Sequence, residues 1–299
     1  MDRLTSMAVF VRAVDLGSFA AAAAALGLSG PMVGKHVRFL EDRLGARLLD
    51  RTTRRQSLTE FGRAYYDRCR VVLAEADAAD ALAADLLGEP CGRLRVTMPA
   101  LFGRHCVTPV LLDLAQGYPR LELELSLGDA IADLGQGGHD LAVRTGRLPD
   151  LGGVTARRVA RQPMVVCAAP SYLARHGTPG TLDDLPAHRA VIYSRSGRIG
   201  PWLFPRQEGP PAEVTLASRL RLDDMEAIAD AAAQGLGLAW LPRWLVRRRL
   251  EARGLVAVLE GQPPFLYDCH ALWPTTPHLP LKVRVAIDAL AAALPRMTG

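Results

Sequence analysis

The residues best placed to do chemistry in this 299-residue chain are cations rather than nucleophiles: Lys35, Arg38, Arg43, Arg47, Arg51, Arg54 and Arg55 fall in one short stretch. Such a run binds polyanions, because each cation that meets a phosphate releases condensed counterions. The bland alternative is a solvated helix face, which is what most charge runs are. The surrounding residues decide between the two. Ser18 opens a short alanine-rich helix whose free N–H groups it can cap, and Gly27 breaks that helix where a left-handed residue is needed. Ser29 is placed to cap a second helix, with Pro31 in its first turn, where a missing N–H costs little. Val33, Val37, Leu40 and Leu44 follow at spacings of four, three and four, so one face is apolar and Lys35 and Arg38 point the other way. Two short helices joined by a tight glycine turn, the second basic outside, make a helix-turn-helix. Strands near residues 48–51 and 56–58 would add a wing with Arg54 and Arg55 at its tip, where arginine tracks phosphates or enters a narrow minor groove.

The order of residues here is dense. Phe10 is followed by Gly17-Ser18-Phe19 with Ala22 and Ala23, then by Leu26, Leu28, Ser29, Pro31 and Val33. Val37, Leu40, Glu41, Leu44, Gly45, Leu48, Arg51, Thr52, Leu58, Thr59 and Gly62 continue it. On these positions, residues 2 to about 62 resemble the N-terminal winged helix-turn-helix of LysR-type transcriptional regulators, and Val33-Gly34-Lys35-His36 is similar to one large branch. Ala20, Gly30 and Gly34 depart from the polar residues many members carry. The DNA-facing set that the residues and the resemblance imply is Ser29, Pro31, Lys35, His36, Arg38, Arg51, Thr52, Arg54 and Arg55.

Composition agrees in sign. The net charge of +5 and the isoelectric point near 9.2 suit a polyanionic partner, although composition alone does not separate DNA from a membrane surface. Five cysteines, odd in number and never in a Cys-x-x-Cys pair, speak for reduced, packed thiols rather than a disulfide frame or zinc site. The N-terminus runs straight into an amphipathic helix with Leu4, Met7 or Val9, Val11 and Val14 apolar, unlike a signal peptide. No apolar run approaches a membrane span, so a cytoplasmic place is expected. After Thr59, residues 60–87 contain no proline, and Phe61, Tyr65, Cys69, Val72, Ala76, Ala79, Ala83 and Leu86 recur at intervals of four and three. That is a heptad-like seam expected to pair with a second copy, giving a homodimer or homotetramer.

From Arg93 the period changes to strands alternating with helices, which implies α/β units with largely parallel sheets. Strands are expected at 93–98, 121–127, 140–144, 154–160, 164–169, 190–193, 214–222, 238–241, 255–259 and 267–273. Helices are expected at 107–116, near 130–135, after Pro170, and at 225–233, 243–252 and 279–294. The pieces Gly92-x-Leu94-Arg95-Val96 with Pro99, Tyr118-Pro119, Asp140-Leu141-Ala142-Val143-Arg144-x-Gly146, Gly235-x-Gly237 with Pro242, and Leu281 with Val283-Arg284 resemble the effector-binding region of the same family. That resemblance implies the two-lobe form of periplasmic solute-binding proteins. The expected architecture is α/β and multidomain: a DNA-binding domain at 1–59, a linker helix at 60–89 and an effector domain at 90–299. One lobe would take 91–162 and 268–299, the other 163–267, with chain crossings near 161–163 and 266–268 acting as a hinge.

Ligands of open α/β sheets bind beyond the carboxyl ends of strands. This points to Pro99, Ala100, Leu101, Phe102, Arg144 and Thr145 in the first lobe, and to Ser194, Asp223, Asp224 and Met225 in the second, with Trp202 nearby. The apolar residues after the first strand hint at an effector with an apolar part. There is no Gly-x-Ser-x-Gly elbow, phosphate loop or His-Glu-x-x-His. An enzyme on the two-lobe part and a purely architectural DNA-binding protein are the rival classes. The expected reading is a transcriptional regulator whose partners are promoter DNA, a small-molecule effector, its own copy and, if it activates, RNA polymerase. No cofactor, metal or membrane partner is expected.

Overall fold

The computed structural model describes residues 1–52, 55–128, 134, 138–148, 152–195 and 197–299, with side chains described outside 51–56, 74, 77–78 and 80–87. The chain divides into two compact units, one built on Met1–Gly92 and the other on most of residues 93–299.

The first unit comprises α1 (Arg3–Asp15), α2 (Phe19–Leu26), α3 (Gly30–Leu44), β1 (Leu49–Thr52), β2 (Arg55–Leu58) and α4 (Glu60–Leu87). Local chemistry sets the ends. Asp2 accepts the Thr5 N–H at 2.8 Å and Ser18 the Ala21 N–H at 3.1 Å, while Gly27 and Gly45 take φ of 64° and 67° past α2 and α3. Ser29 holds the N-cap position of α3 without a side-chain bond; its carbonyl accepts from Met32 and Val33. Phe10, Val37, Leu40 and Leu48 are fully buried and form one core with Cys69, and Val33 joins Val9, Ala13, Ala22 and Ala23 in a second. Each large apolar side chain so enclosed contributes about 1.5–3 kcal/mol relative to exposure. The apolar face of α1 is therefore Met7, Val9, Phe10 and Ala13; Leu4, expected on it, is 41% exposed. The β1–β2 hairpin pairs Leu49 with Leu58 and Thr52 with Arg55. The Thr59 hydroxyl caps α4 through the Gly62 N–H at 2.8 Å. The expected seam of α4 is split: Cys69 and Tyr65 pack into the core of this unit, whereas Phe61 and Val72 stay exposed.

The second unit continues with β3 (Gly92–Met98), α5 (Ala100–Phe102), a π-helical turn (Gly103–Val107), α6 (Thr108–Gly117), β4 (Leu121–Leu127) and β5 (Leu141–Thr145). Next come β6 (Val154–Ala168), α7 (Pro170–His176), a 3-10 turn (Leu182–Ala187), β7 (Arg189–Arg195), β8 (Arg198–Ile199), β9 (Trp202–Phe204) and β10 (Ala212–Val214). It closes with β11 (Ala217–Leu222), α8 (Met225–Ala233), β12 (Ala239–Pro242), α9 (Arg243–Glu251), β13 (Val256–Val258), β14 (Leu266–Pro274) and α10 (Leu281–Thr298). A helix near 130–135 falls largely outside the described residues.

One seven-stranded sheet runs β12-β6-β14-β5-β3-β4, with β13 also on β6. Its pairings correct the largely parallel expectation: β12, β13 and β14 run antiparallel to β6, and β14 antiparallel to β5, while β3–β5 is parallel. β11 on β7, in a separate three-stranded sheet, is also parallel. β6 is a single strand of 15 residues where two were expected. Pro163 sits where it passes from pairing with β14 to pairing with β12, so the missing N–H breaks no ladder. Conversely, the strand expected at 214–222 is two, β10 on β9 and β11 on β7.

Candidate nucleic-acid interface and effector site

The geometry of α3 sorts its residues by side. Val33, Val37 and Leu40 are wholly buried, holding the helix on α1 and α2, and Lys35 and Arg38 are exposed. Ser29 and Pro31 are exposed at its start. His36 is not on this outer surface. It is 7% exposed, and its Nδ1 lies 3.0 Å from the Ser6 hydroxyl of α1, so it is a buried polar contact and leaves the DNA-facing set. A Cβ at Gly34 would meet the Phe19 ring at 3.8 Å, an ordinary contact, so the packing of α3 on α2 does not demand glycine there. On the wing, Arg51 and Thr52 belong to β1 and Arg55 to β2, with side chains outside the described set; Arg54 lies outside the described residues altogether.

The loops expected to hold a ligand are less uniform. Pro99 stands before α5, Ala100 is exposed and Leu101 half-buried. Phe102 turns inward, 4% exposed, with its ring 5.8 Å from that of Trp244 on α9. Arg144 donates to the carbonyls of Val143 and Thr97 at 2.7 and 3.1 Å and to the Thr97 hydroxyl at 3.2 Å, so much of its guanidinium is engaged in tying β5 to β3. Thr145, half-buried, faces Cys269 across the ladder. Ser194 is half-buried on β7 and Asp223 exposed. Asp224 caps α8 by accepting the Ala227 N–H at 2.8 Å, and Met225 packs into the core beneath α8. Trp202 is core, 4% exposed, and is withdrawn from the ligand-facing set. A surface hollow of about 1000 Å³ opens elsewhere, between the 3-10 turn, the β9–β10 turn and residues 261–263, and no expected effector residue lines it.

Two groups of residues around β6, β12 and β14 escaped the sequence reading. The Trp244 indole N–H donates to Gln162 of β6 at 2.9 Å while its ring meets Phe102 and His105, joining α9 to β6 and to the helical segment after β3. Trp240 on β12 has the rings of Trp202, Phe204, Phe265 and Tyr267 around it at 5.8–6.4 Å. The available signal was Trp240 and Trp244 bracketing Leu-Pro-Arg, bulky rings at a strand end where aliphatic residues would suffice.

Residues 4–63 match the family model described as bacterial regulatory helix-turn-helix protein, lysR family, and residues 87–295 match LysR substrate binding domain. The chain belongs to the LysR family of transcriptional regulators. Among its relatives, an HTH-type transcriptional repressor of Pseudomonas aeruginosa is 35% identical over 289 residues, 96% of this chain and 91% of that one. The HTH-type transcriptional activator AaeR of Escherichia coli is 33% identical over 97% of this chain and 93% of its own length. CrgA, a LysR-type transcriptional regulator from Neisseria meningitidis, superposes with a TM-score of 0.60 at 29% identity, covering 97% of this chain and 98% of that one.

LysR membership gives the two units their work: a helix-turn-helix that binds DNA and a domain that binds an effector. A repressor and an activator stand among the relatives at nearly equal identity, so the direction of control does not follow from the family. Among the described residues, no helix of this LysR chain is long and apolar enough to cross a membrane, and no three His, Cys, Asp or Glu side chains gather as a metal site.

Proposed function

We propose that this regulator reads a promoter operator as a homodimer or dimer of dimers in the cytoplasm. Ser29, Pro31, Lys35, Arg38 and the wing residues Arg51, Thr52, Arg54 and Arg55 face the duplex. A small molecule held between the two lobes of residues 90–299, near Pro99–Leu101, Arg144–Thr145, Ser194 and Asp223–Met225, sets how the paired heads engage. Residues 1–59 form the reading head and 60–89 the linker that pairs subunits; RNA polymerase is the further partner where the regulator activates.

The observation that carries this reading is the sidedness of α3. A helix whose Val33, Val37 and Leu40 are buried, with Leu44 partly so, and whose cations remain in solvent presents charge without a structural use for it. Phosphate contacts of this kind supply affinity, and base-edge contacts supply choice of site. The test is a mobility-shift titration over a range of salt on the promoter region next to the gene. Lys35→Ala and Arg38→Ala should each weaken binding to all sequences and lower the salt slope by about one. If both bind as the parent does at every salt concentration, α3 is not the reading helix.

A further inference from the structure

The class of effector is written in the aromatic residues at the chain crossings. Trp202 and Phe204 are nearly closed off, as core residues are, but Trp240, Phe265 and Tyr267 each keep part of their surface open. Tyr267 lies on β14 at the crossing, with its ring 4.9 Å edge-on from Phe265 and 5.8 Å from Trp240. From the other lobe, Gly146 at the end of β5 comes directly against it: a Cβ at that glycine would stand 3.6 Å from the Tyr267 ring. The backbone is tied there as well, with the Gly146 N–H donating to the Asp268 carbonyl at 2.9 Å. One of the loops expected to hold the ligand therefore ends on this ring.

Two features distinguish the open edge of this array from an ordinary core margin. Its rings tilt at 54–73° among Trp240, Phe265 and Tyr267, presenting edges and faces together rather than one flat stack. Such edges and faces select other rings, because the quadrupole rewards offset and edge-to-face partners over aliphatic ones. Second, the Tyr267 hydroxyl has no hydrogen-bond partner among the described residues, although burial of its ring raises the phenol pKa above the ordinary value. A hydroxyl without a protein partner on a half-buried aromatic ring is a recognition group awaiting an acceptor or donor.

We infer that the effector is a planar aromatic molecule bearing a polar substituent, its ring on the open side of Trp240 and Tyr267 and its polar group within reach of the Tyr267 hydroxyl. This rests on the proposed cleft between the lobes and narrows what enters it.

The experiment uses the full chain and matched probes that differ only in aromaticity: benzoate against cyclohexanecarboxylate, and phenol against cyclohexanol. Calorimetry and tryptophan fluorescence read binding, and operator affinity is measured with the same probes. The aromatic member of a pair should bind about five- to tenfold more tightly than its saturated partner and quench fluorescence. Trp240→Leu, which keeps apolar packing, should erase that preference, and Tyr267→Phe should weaken the aromatic probe several-fold without unfolding the protein. Equal binding of both members, or no binding by either aromatic, overturns the aromatic class. A saturated acid that shifts operator affinity while no aromatic binds would overturn this inference and leave the effector cleft standing. An aromatic probe that binds with the stated preference but leaves operator affinity unchanged would keep the aromatic site and sink the effector reading.

Discussion

The contact between His36 and Ser6 makes a residue-scale difference between two neighbours on one helix. Ser6→Ala strips a partner from a buried imidazole nitrogen and should cost about 1–3 kcal/mol in urea unfolding, whereas Lys35→Ala next door should cost stability little and DNA affinity much. A Ser6→Ala protein as stable as the parent would show that His36 does not depend on this bond. Its inward position was legible in principle: three residues after Val33 and four before Leu40, it shares their side of the helix. The residue type, a titratable ring in a basic run, drew the assignment outward. A second histidine sets a pH response. Burial, then the positive field of His176, hold His188 below the ordinary histidine value of 6.5, against an opposing pull from Asp184; the other group facing it is the Tyr172 hydroxyl, 3.3 Å from its Nδ1. The unfolded chain then binds the proton more readily. The contribution is whole above pH 6.5 and falls as acid carries the solution below 6.5 toward the depressed value. His188→Gln should flatten that part of the stability profile between pH 7.5 and 5. The cysteines behave as packing residues: burial pushes Cys69 to about 11 and Cys106, Cys167 and Cys269 to about 12. Iodoacetamide at pH 8 should therefore label the native protein at half-buried Cys91 first, with peptide mass spectrometry giving the order.

At the scale of elements, the first turn of α4 lies so close to the wing that Gly62 has no room for a side chain. A Cβ there would stand 1.9 Å from the Leu48 carbonyl oxygen. Gly62→Ala should destabilise the DNA-binding unit by about 1–3 kcal/mol and raise the protein concentration needed for operator binding; unchanged unfolding would mean that the α4–wing packing yields freely. Along α4, Phe61 stays 45% exposed and Val72 38%, apolar surface left open on this unit. Val72→Asp should lower the oligomer in sedimentation while leaving helix content intact, and an unchanged sedimentation coefficient would remove α4 from the subunit contact. Elements carried by strong periodicity were read correctly, as β4 and α8 show: alternation and capping are local, and each fixes its own segment. The long β6 was not. Proline ordinarily ends a central strand, and only the long-range arrangement, in which β14 hands over to β12 at Pro163, makes it harmless. β10 and β11 were merged for the converse reason: their partners, β9 and β7, cannot be known from alternation within the segment.

For the whole molecule, control of transcription by a ligand requires that ligand and operator prefer related arrangements. An effector that changes operator affinity by some factor must find its own affinity changed by the same factor when operator is present. Calorimetry with and without operator should return that equality, and a mismatch would mean that the two sites do not communicate at equilibrium. In the proposed two-lobe reading, the material that flexes when the lobes close is the ribbon of β6 and β14. They pair over nine positions, with an irregularity between Cys269 and His270, and Arg161 grips Asp268 at 3.0 Å across the ladder. Two hydrogen-bonded strands resist sliding along each other, since that would break every rung, but they coil and twist at small cost. On the proposed two-lobe reading, the crossing acts as a torsion bar rather than a loose strap. We predict that it returns toward its resting angle with a restoring torque, part of each ligand's affinity going into elastic work. Ligands of graded fit should then wind it through graded angles, so that partial effectors produce partial transcription instead of an all-or-none response.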